Sequence, residues 1–298
     1  MIKDGSSMKK VVVYIPAYNE EATIGRIIDT IKETYRERKR YTVEVIVVND
    51  GSRDHTAKIG REKGVRVITH PFNRGLGAAT RTGMETAREM GADIAVKIDA
   101  DYQHDPLDIE KVIAPILEDR ADAVFGSRFL GSIEYSMPAY RKAGNSFFSW
   151  VTSKFTGLRI TDGQTGIMAF HRRYLDRMQM MSDYNETQQL IIDAWRKNMR
   201  VIEVPVVFHK RTAGKSFISL KYPFKVLPNI LRLYYHTFPL KIFVPLGSLV
   251  LLFGLLVGYL VRVGAITRFG DDSAVILIIM GVQILLFGLI ADMISQKR

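Results

Sequence analysis

The sequence predicts an α/β domain built on a mostly parallel sheet, followed by a two-helix membrane hairpin. Two observations predict it. Strand-like and helix-like patterns alternate from residue 9 to about residue 210. Beyond them, residues 242–261 and 273–291 carry no charge, and each run is long enough for a hydrocarbon core that takes roughly 20 residues.

The elements follow in order. Residues 11–15 (Val-Val-Val-Tyr-Ile) are a continuous apolar run, as a strand buried on both faces requires. Ile24, Ile27, Ile28 and Ile31 then recur at helical spacing. Residues 43–48 form the next strand, ending in the turn Asn49-Asp50-Gly51-Ser52. Residues 65–69, 94–98 and 121–125 read as further strands, with helices near 75–90 and 106–118. Ligands of such folds bind beyond the carboxyl ends of the strands, so the residues just after each strand are the candidates for chemistry.

Composition limits the rest. With 298 residues, 47% hydrophobic and 24% charged, the chain is globular rather than disordered. It has no cysteine, which excludes disulfides, thiolate metal sites and a thiol nucleophile. A formal charge of +11 predicts an anionic partner. Two spans and the lack of a recognition motif point to lipid or phosphorylated substrate rather than nucleic acid.

Glycines 247, 254, 258, 281 and 288 suit close packing of the two spans. Lys221, Lys225, Arg232 and Lys241 precede the first span, and Lys297 and Arg298 follow the second. The positive-inside rule therefore places both termini in the cytoplasm. Residues 1–10 are polar, so no signal peptide is expected, and Met8 is an alternative start. Residues 217–240 mix aromatic, aliphatic and basic residues around Pro223, Pro228 and Pro239, which predicts short amphipathic helices on the membrane surface.

Three post-strand loops carry polar residues. In Pro16-Ala17-Tyr18-Asn19-Glu20-Glu21, Pro16 ends the strand and Asn19 can cap the next helix. In Asn49-Asp50-Gly51-Ser52-Arg53-Asp54 the Asp-Gly pair is turn chemistry, Asp54 can cap a helix, and a carboxylate can also accept from a base N–H. In Asp99-Ala100-Asp101-Tyr102-Gln103, residues two apart project to one side of an extended segment, so Asp99, Asp101 and Gln103 can converge on a cation. Oxygen-only ligands suit Mg²⁺ or Mn²⁺. The same loop can instead be a polar turn into the helix that Asp105-Pro106 starts, with Asp105 as its N-cap. Asn73-Arg74-Gly75-Leu76-Gly77 opens another helix, but it is not a dinucleotide fingerprint.

Taken in order, these segments resemble those of family 2 glycosyltransferases with the GT-A fold, and among them the polyprenyl-phosphate sugar synthases. Asp99–His104 is similar to the family's D-A-D-x-Q-H, residues 16–21 to its P-A-Y-N-E-E, and residues 49–54 to its D-D-G-S-x-D. Gly126-Ser127-Arg128, Asp162-Gly163-Gln164-Thr165-Gly166 and Arg211-Thr212-Ala213-Gly214-Lys215-Ser216 resemble three later segments. Asn49 replaces the more usual Asp, Arg74 the more usual Lys, and Phe217 follows Ser216 where many relatives have a cation.

The resemblance implies a GT-A domain over residues 9–216, surface helices over 217–240 and a hairpin over 241–298. It implies that Pro16, Tyr18, Glu20, Asp50 and Asp99 line the nucleotide pocket. Asp99, Asp101 and Gln103 would hold a divalent metal, Mg²⁺ or Mn²⁺. Arg128, Arg141 and Ser216 would meet the acceptor phosphate, and Asp101, Arg128 and Arg211 would be catalytic. Asp183 and Glu186 lie where some relatives place an acid near the donor sugar. The implied reaction moves a sugar, with inversion, from a UDP- or GDP-sugar to a polyprenyl or dolichyl phosphate at the cytoplasmic face of the cell membrane. A polyprenyl phosphate is already anionic and needs no strong general base. The alternatives are transfer to a lipid or protein hydroxyl, which would demand such a base, and a tethered nucleotide-binding protein without catalysis.

Overall fold

Alternating apolar strands and amphipathic helices have one economical solution: a sheet covered on both faces. The computed structural model of the chain describes residues 8–210 except 39, 181 and 184, and then residues 231–265 and 271–296. Its strands are β1 (Lys9–Ala17), β2 (Tyr41–Asn49), β3 (Arg66–Thr69), β4 (Ile94–Ile98), β5 (Ala123–Ile133), β6 (Ile167–His171) and β7 (Val201–Phe208). They form one sheet in the order β3-β2-β1-β4-β6-β5-β7. β6 runs antiparallel to β4 and β5, and the other pairings within the sheet are parallel.

The period of two along β1 explains the layers. Val11, Val13 and Ile15 face a core shared with α1 (Ile24–Thr34) and α4 (Ile109–Leu117). Val12 and Tyr14 face a second core shared with α3 (Leu76–Glu89), α6 (Arg172–Leu175) and α7 (Glu186–Arg196). Ile24, Ile27, Ile28 and Ile31 are all fully buried, as their helical spacing predicts. α2 (Thr56–Glu62) precedes β3, and α5 (Ala139–Thr156) follows β5. The chain runs β1, β2, β3 to one edge and returns to β4 on the other side of β1. The switch point therefore lies between β1 and β4, where a crevice is expected at the carboxyl ends.

Several local expectations need correction. The strand expected at 121–125 runs from Ala123 to Ile133, so Gly126-Ser127-Arg128 lies within it. Pro16 does not end β1; it sits inside the strand opposite Val48. Asn19 does not cap α1, whose N-cap position is Thr23. Asn19 instead takes a left-handed φ of 54°, which frees its side chain for another loop. Asp105 does cap: its carboxylate accepts from Leu107 N at 2.9 Å at the head of a short 3₁₀ turn, Pro106–Asp108.

The chain divides into two units, Met1–Lys221 and Tyr222–Arg298. In the second, residues 231–237 are helical, while residues 217–230 of the expected surface segment lie outside the described residues. Two long apolar helices follow, Pro239–Arg262 and Asp271–Gln296, with spans of mean hydropathy 2.3 and 2.8. They pack on each other through glycine. A Cβ on Gly254 would stand 2.9 Å from Ile278 N, and one on Gly281 would stand 2.6 Å from Leu251 N. The five glycines expected to pack this pair all lie against the facing helix.

Ile28→Ala removes a fully buried side chain from the first core and is expected to cost about 2–5 kcal/mol. The check is a lowered thermal midpoint of the purified chain with an unchanged circular-dichroism spectrum below the transition.

Candidate active site

The loops after β1 and β2 are sewn together by their own polar side chains. Asn19 N donates to Ser52 Oγ at 2.9 Å, and Asn19 Oδ1 accepts from Arg53 N at 2.9 Å. Glu20 N donates to Thr56 Oγ1 at 2.8 Å, and Glu21 N to Asp54 Oδ2 at 3.1 Å. The other carboxylate oxygen of Asp54 accepts from Thr56 N and Thr56 Oγ1, which secures the start of α2. Pro16 is buried and Tyr18 half-buried. Asp50 is buried, and its carboxylate accepts from Arg74 N at 2.9 Å and Gly75 N at 2.8 Å. His70 Nδ1 donates to the same group at 2.7 Å. Asp50 thus holds the loop before α3, with three donors on a carboxylate that has about four acceptor positions.

Asp99-Ala100-Asp101-Tyr102-Gln103 follows β4 at the switch point, yet it is not the extended segment expected. Tyr102 takes φ 59°, and Asp101 Oδ1 accepts from Gln103 N at 3.0 Å, so the segment turns. The turn is held from outside. The Tyr102 hydroxyl is 3.2 Å from Thr30 Oγ1, and Arg26 lies over its ring at 4.3 Å. Gln103 Nε2 donates to His209 O at 3.2 Å, and His209 N donates to Gln103 O at 2.8 Å. The three oxygen-bearing side chains therefore share one pinned turn rather than one face of a strand.

Under this turn lies a charge that the sequence reading did not single out. Lys97 on β4 is fully buried, with Nζ 2.8 Å from Asp99 Oδ1 and 3.4 Å from Glu186 Oε1. Burial pulls the ammonium pKa down, but the two carboxylates more than reverse this and hold it above the ordinary lysine range. Tyr14 on β1 is pushed well above the ordinary tyrosine value by burial, then by Glu186 and Asp99. Asp183 pairs with Arg81 at 2.8 Å. On the other side, Gly166 makes room for Asp99: a Cβ there would stand 2.2 Å from Asp99 Oδ2.

Arg128 is a bidentate partner of buried Asp162. Nε donates to Oδ2 at 2.6 Å, Nη2 to Oδ1 at 2.7 Å, and Nη2 also to Gln164 O at 2.9 Å. Glu203 on β7 accepts from Thr161 N, Thr161 Oγ1 and Asp162 N and so fixes that loop. Phe208 links the two halves of the site: Arg128 lies over its ring at 4.7 Å, and the His104 ring packs against it at 4.9 Å. His104 accepts from Gly166 N at 3.1 Å; burial, then Arg128 nearby, lowers its pKa to about 3, so it is neutral. The structure thus gathers Asp99, Asp101, Gln103 and Arg128 into one neighbourhood. Arg141 sits in the first turn of α5, with its N–H donating to Pro138 O at 3.0 Å. Arg211 and Ser216 lie outside the described residues.

Residues 12–179 match the family model described as Glycosyl transferase family 2. The chain belongs to that family. Residues 238–296 match a second model, the GtrB C-terminal hairpin. The glycosyltransferase is 35% identical over 219 residues to a UDP-N-acetylglucosamine–dolichyl-phosphate N-acetylglucosaminyltransferase of Methanococcus voltae, covering 66% of this chain and 85% of that one. It is 28% identical to an undecaprenyl-phosphate mannosyltransferase of Micrococcus luteus, covering 70% of this chain and 88% of that one. Its fold is similar to glucosyl-3-phosphoglycerate synthase of Mycobacterium tuberculosis, solved with Mn²⁺ and UDP-glucose. That likeness has a TM-score of 0.60 at 21% identity, over 76% of this chain and 78% of the other. The protein is therefore an enzyme of the polyprenyl- and dolichyl-phosphate glycosyltransferase group, with a GT-A-like α/β domain and a C-terminal pair of apolar helices.

Lys97 escaped the sequence reading because it interrupts an apolar strand and matches no loop motif. Its signal was the charge itself, a lysine between Val96 and Ile98, which must find carboxylates if the strand is central. In this glycosyltransferase, Gly166→Ala forces the Asp99 carboxylate to move. Turnover should fall about 100-fold, the scale of a misplaced reacting group. Activity of the purified variant checks this, with an unchanged circular-dichroism spectrum showing that the fold survives.

Proposed function

We propose that this glycosyltransferase moves a sugar, with inversion, from a nucleotide-sugar diphosphate to the phosphate of a polyprenyl lipid. The observation that carries the reading is the pinned Asp99–Gln103 turn at the switch point, with Arg128 beside it through His104 and Phe208. The turn supplies acidic oxygens for a cationic handle on a diphosphate, and the arginine supplies donors for a second phosphate. UDP-N-acetylglucosamine is the first donor to test, because the relative at 35% identity is named for it.

A divalent metal fits the residues present. Asp99, Asp101 and Gln103 offer oxygen donors only, the set that Mg²⁺ and Mn²⁺ prefer. Gly166 leaves Asp99 Oδ2 room that a side chain would fill. Because Gln103 Nε2 donates to His209 O, its amide oxygen is the end available for ligation. Among the described residues no group of three acid or histidine side chains converges, so ligation would draw on this amide and on the donor's own phosphates. Such an ion supplies Lewis-acid stabilisation of the leaving diphosphate.

The chain's own residues do the rest. The acceptor phosphate is anionic and attacks the anomeric carbon without giving up a proton, so no general base is needed. Asp162 holds Arg128 Nε and Nη2, which leaves the Nη1 edge to meet a phosphate. With Asp162 cancelling its charge, Arg128 acts as a fixed donor rather than as a net cation. Arg141, Arg211 and Ser216 complete the acceptor side in this reading. The apolar helix pair anchors the enzyme where its lipid substrate resides, and the basic flanks favour a cytoplasmic site and cytoplasmic termini.

Incubation of the full chain with polyprenyl phosphate and a panel of UDP- and GDP-sugars, followed by mass spectrometry of the lipid, tests the proposal. The expected product is a sugar phosphodiester cleaved by mild acid. An acid-stable glycoside, or no lipid product with any donor, would sink it. Asp101→Ala should lower turnover about 100-fold or more, as loss of a key electrostatic group does. Chelation should stop the native enzyme, with Mg²⁺ or Mn²⁺ restoring it. Near-normal turnover of Asp101→Ala in metal-supplemented buffer would remove the metal assignment.

A further inference from the structure

Over residues 274–291 of the second hairpin helix, Asp271–Gln296, Gln283 is the one polar side chain. It lies midway along the apolar span Asp272–Ser295. It is exposed, and its amide has no hydrogen-bond partner among the described residues. The helix packs on its neighbour through Ala274, Ile278, Gly281, Leu285 and Gly288. Gln283 is two residues from Gly281 and from Leu285, a rotation of about 200° at 3.6 residues per turn, so it points away from that contact.

With the hairpin in a bilayer, this amide stands in hydrocarbon near the midplane. It has no water there, so a helix that brings both a donor and an acceptor gains by packing on it. The face around it has a definite period. Ile276, Ile279, Gln283, Leu286, Ile290 and Met293 are spaced alternately by three and four residues, and all are exposed. That is the a/d seam of a two-stranded coiled coil, with Ile276, Gln283 and Ile290 at the a positions. Exposed apolar residues alone would mark only a lipid-facing side, since Val275, Val282 and Leu289 are exposed as well. The amide is what sets the first stripe apart.

We propose that this stripe is the contact between two copies of the chain, packed as a parallel helix pair about a two-fold axis along the membrane normal. Two copies of one membrane protein share a topology, so their second hairpin helices run parallel. In a parallel pair each a position meets its own equivalent, which brings the two Gln283 side chains together. A primary amide carries a donor and an acceptor, so two of them close a reciprocal pair of N–H to O bonds and leave no need of a third partner. The amide also fixes register, because sliding one helix by a heptad would set it against Ile276 or Ile290. The inference rests on the helix pair spanning a bilayer and not on sugar transfer.

Because the chain has no cysteine, single cysteines report the contact directly. Ile276→Cys, Ile279→Cys, Leu286→Cys and Ile290→Cys are made in the full chain, and Val275→Cys, Val282→Cys and Leu289→Cys for comparison. Each variant is reconstituted in phosphatidylcholine vesicles and oxidised with copper phenanthroline. Disulfide-linked dimers should form at the first four positions and not at the other three, whose Cα atoms would stand beyond about 7 Å across the pair. Equal yield at all seven, a maximum at the comparison positions, or no dimer overturns the proposal. In Leu286→Cys, adding Gln283→Leu should weaken association about tenfold, the scale of an interhelical amide pair in a membrane, while Gln283→Asn keeps it. Association is read from the lipid dilution that halves the crosslink, and no change with Gln283→Leu refutes the amide pair. Alkaline carbonate washing tests the premise separately. Retention with the vesicles but no crosslink refutes the contact alone, and release refutes spanning and the contact together.

Discussion

The ammonium group of Lys97, buried in the middle of the sheet, constrains more of the site than any other single interaction. An unpaired charge there would cost several kcal/mol. Its two partners are Asp99, two residues along the chain, and Glu186, the first residue of α7. One oxygen of Asp99 is thereby committed inward, and the other faces the space that Gly166 leaves. Glu186 in turn fixes the start of α7. Just before it, Asp183 accepts from Gly77 N through its carbonyl and pairs with Arg81 through its carboxylate. Neutralising one lysine therefore ties β4, α7 and α3 into a single floor.

The same economy recurs across the site. Asp50 is met by His70 and two backbone amides, and Asp162 by Arg128. Each of these acids has donors of its own, whereas Lys97 is one cation shared by two carboxylates, so negative charge remains under the turn. The rest is a set of aimed donors and acceptors. The buried histidine nearest the turn, His104, stays neutral, with burial and Arg128 lowering its pKa to about 3.

Much of this was legible in the sequence because it is periodic or local. The β1 run, the four isoleucines of α1 and the Asp105 cap each follow from a rule acting within a few residues. What was not legible depends on partners far along the chain. Asn19 was expected to cap α1, but a backbone amide of the β2 loop, 34 residues away, claims its side chain. The Asp99–Gln103 segment turns because Thr30, Arg26 and His209 hold it from three directions. β6 is a short apolar run, Ile167 to Phe170, but nothing in the run itself announces that it slips antiparallel between β4 and β5. α5 hid for a different reason: its polar stripe of Asn145, Ser149, Thr152 and Thr156 resembles a solvent face, and only the coordinates show that this stripe is the buried one.

These long-range partners also show what a motif leaves out. The family match ends at residue 179, yet residues 180–210 position several of the residues the motifs name. Glu186 pairs with the lysine that holds Asp99. Glu203 fixes the loop that lets Asp162 grip Arg128. The backbone of His209 pins Gln103 from both sides. The motif thus specifies which oxygens and nitrogens stand at the site, while their posture is set by a strand and a helix that the motif does not contain. A relative can keep every motif residue and still differ in geometry if this supporting stretch diverges, so differences in donor or acceptor choice between such enzymes are to be sought there as well as in the loops themselves.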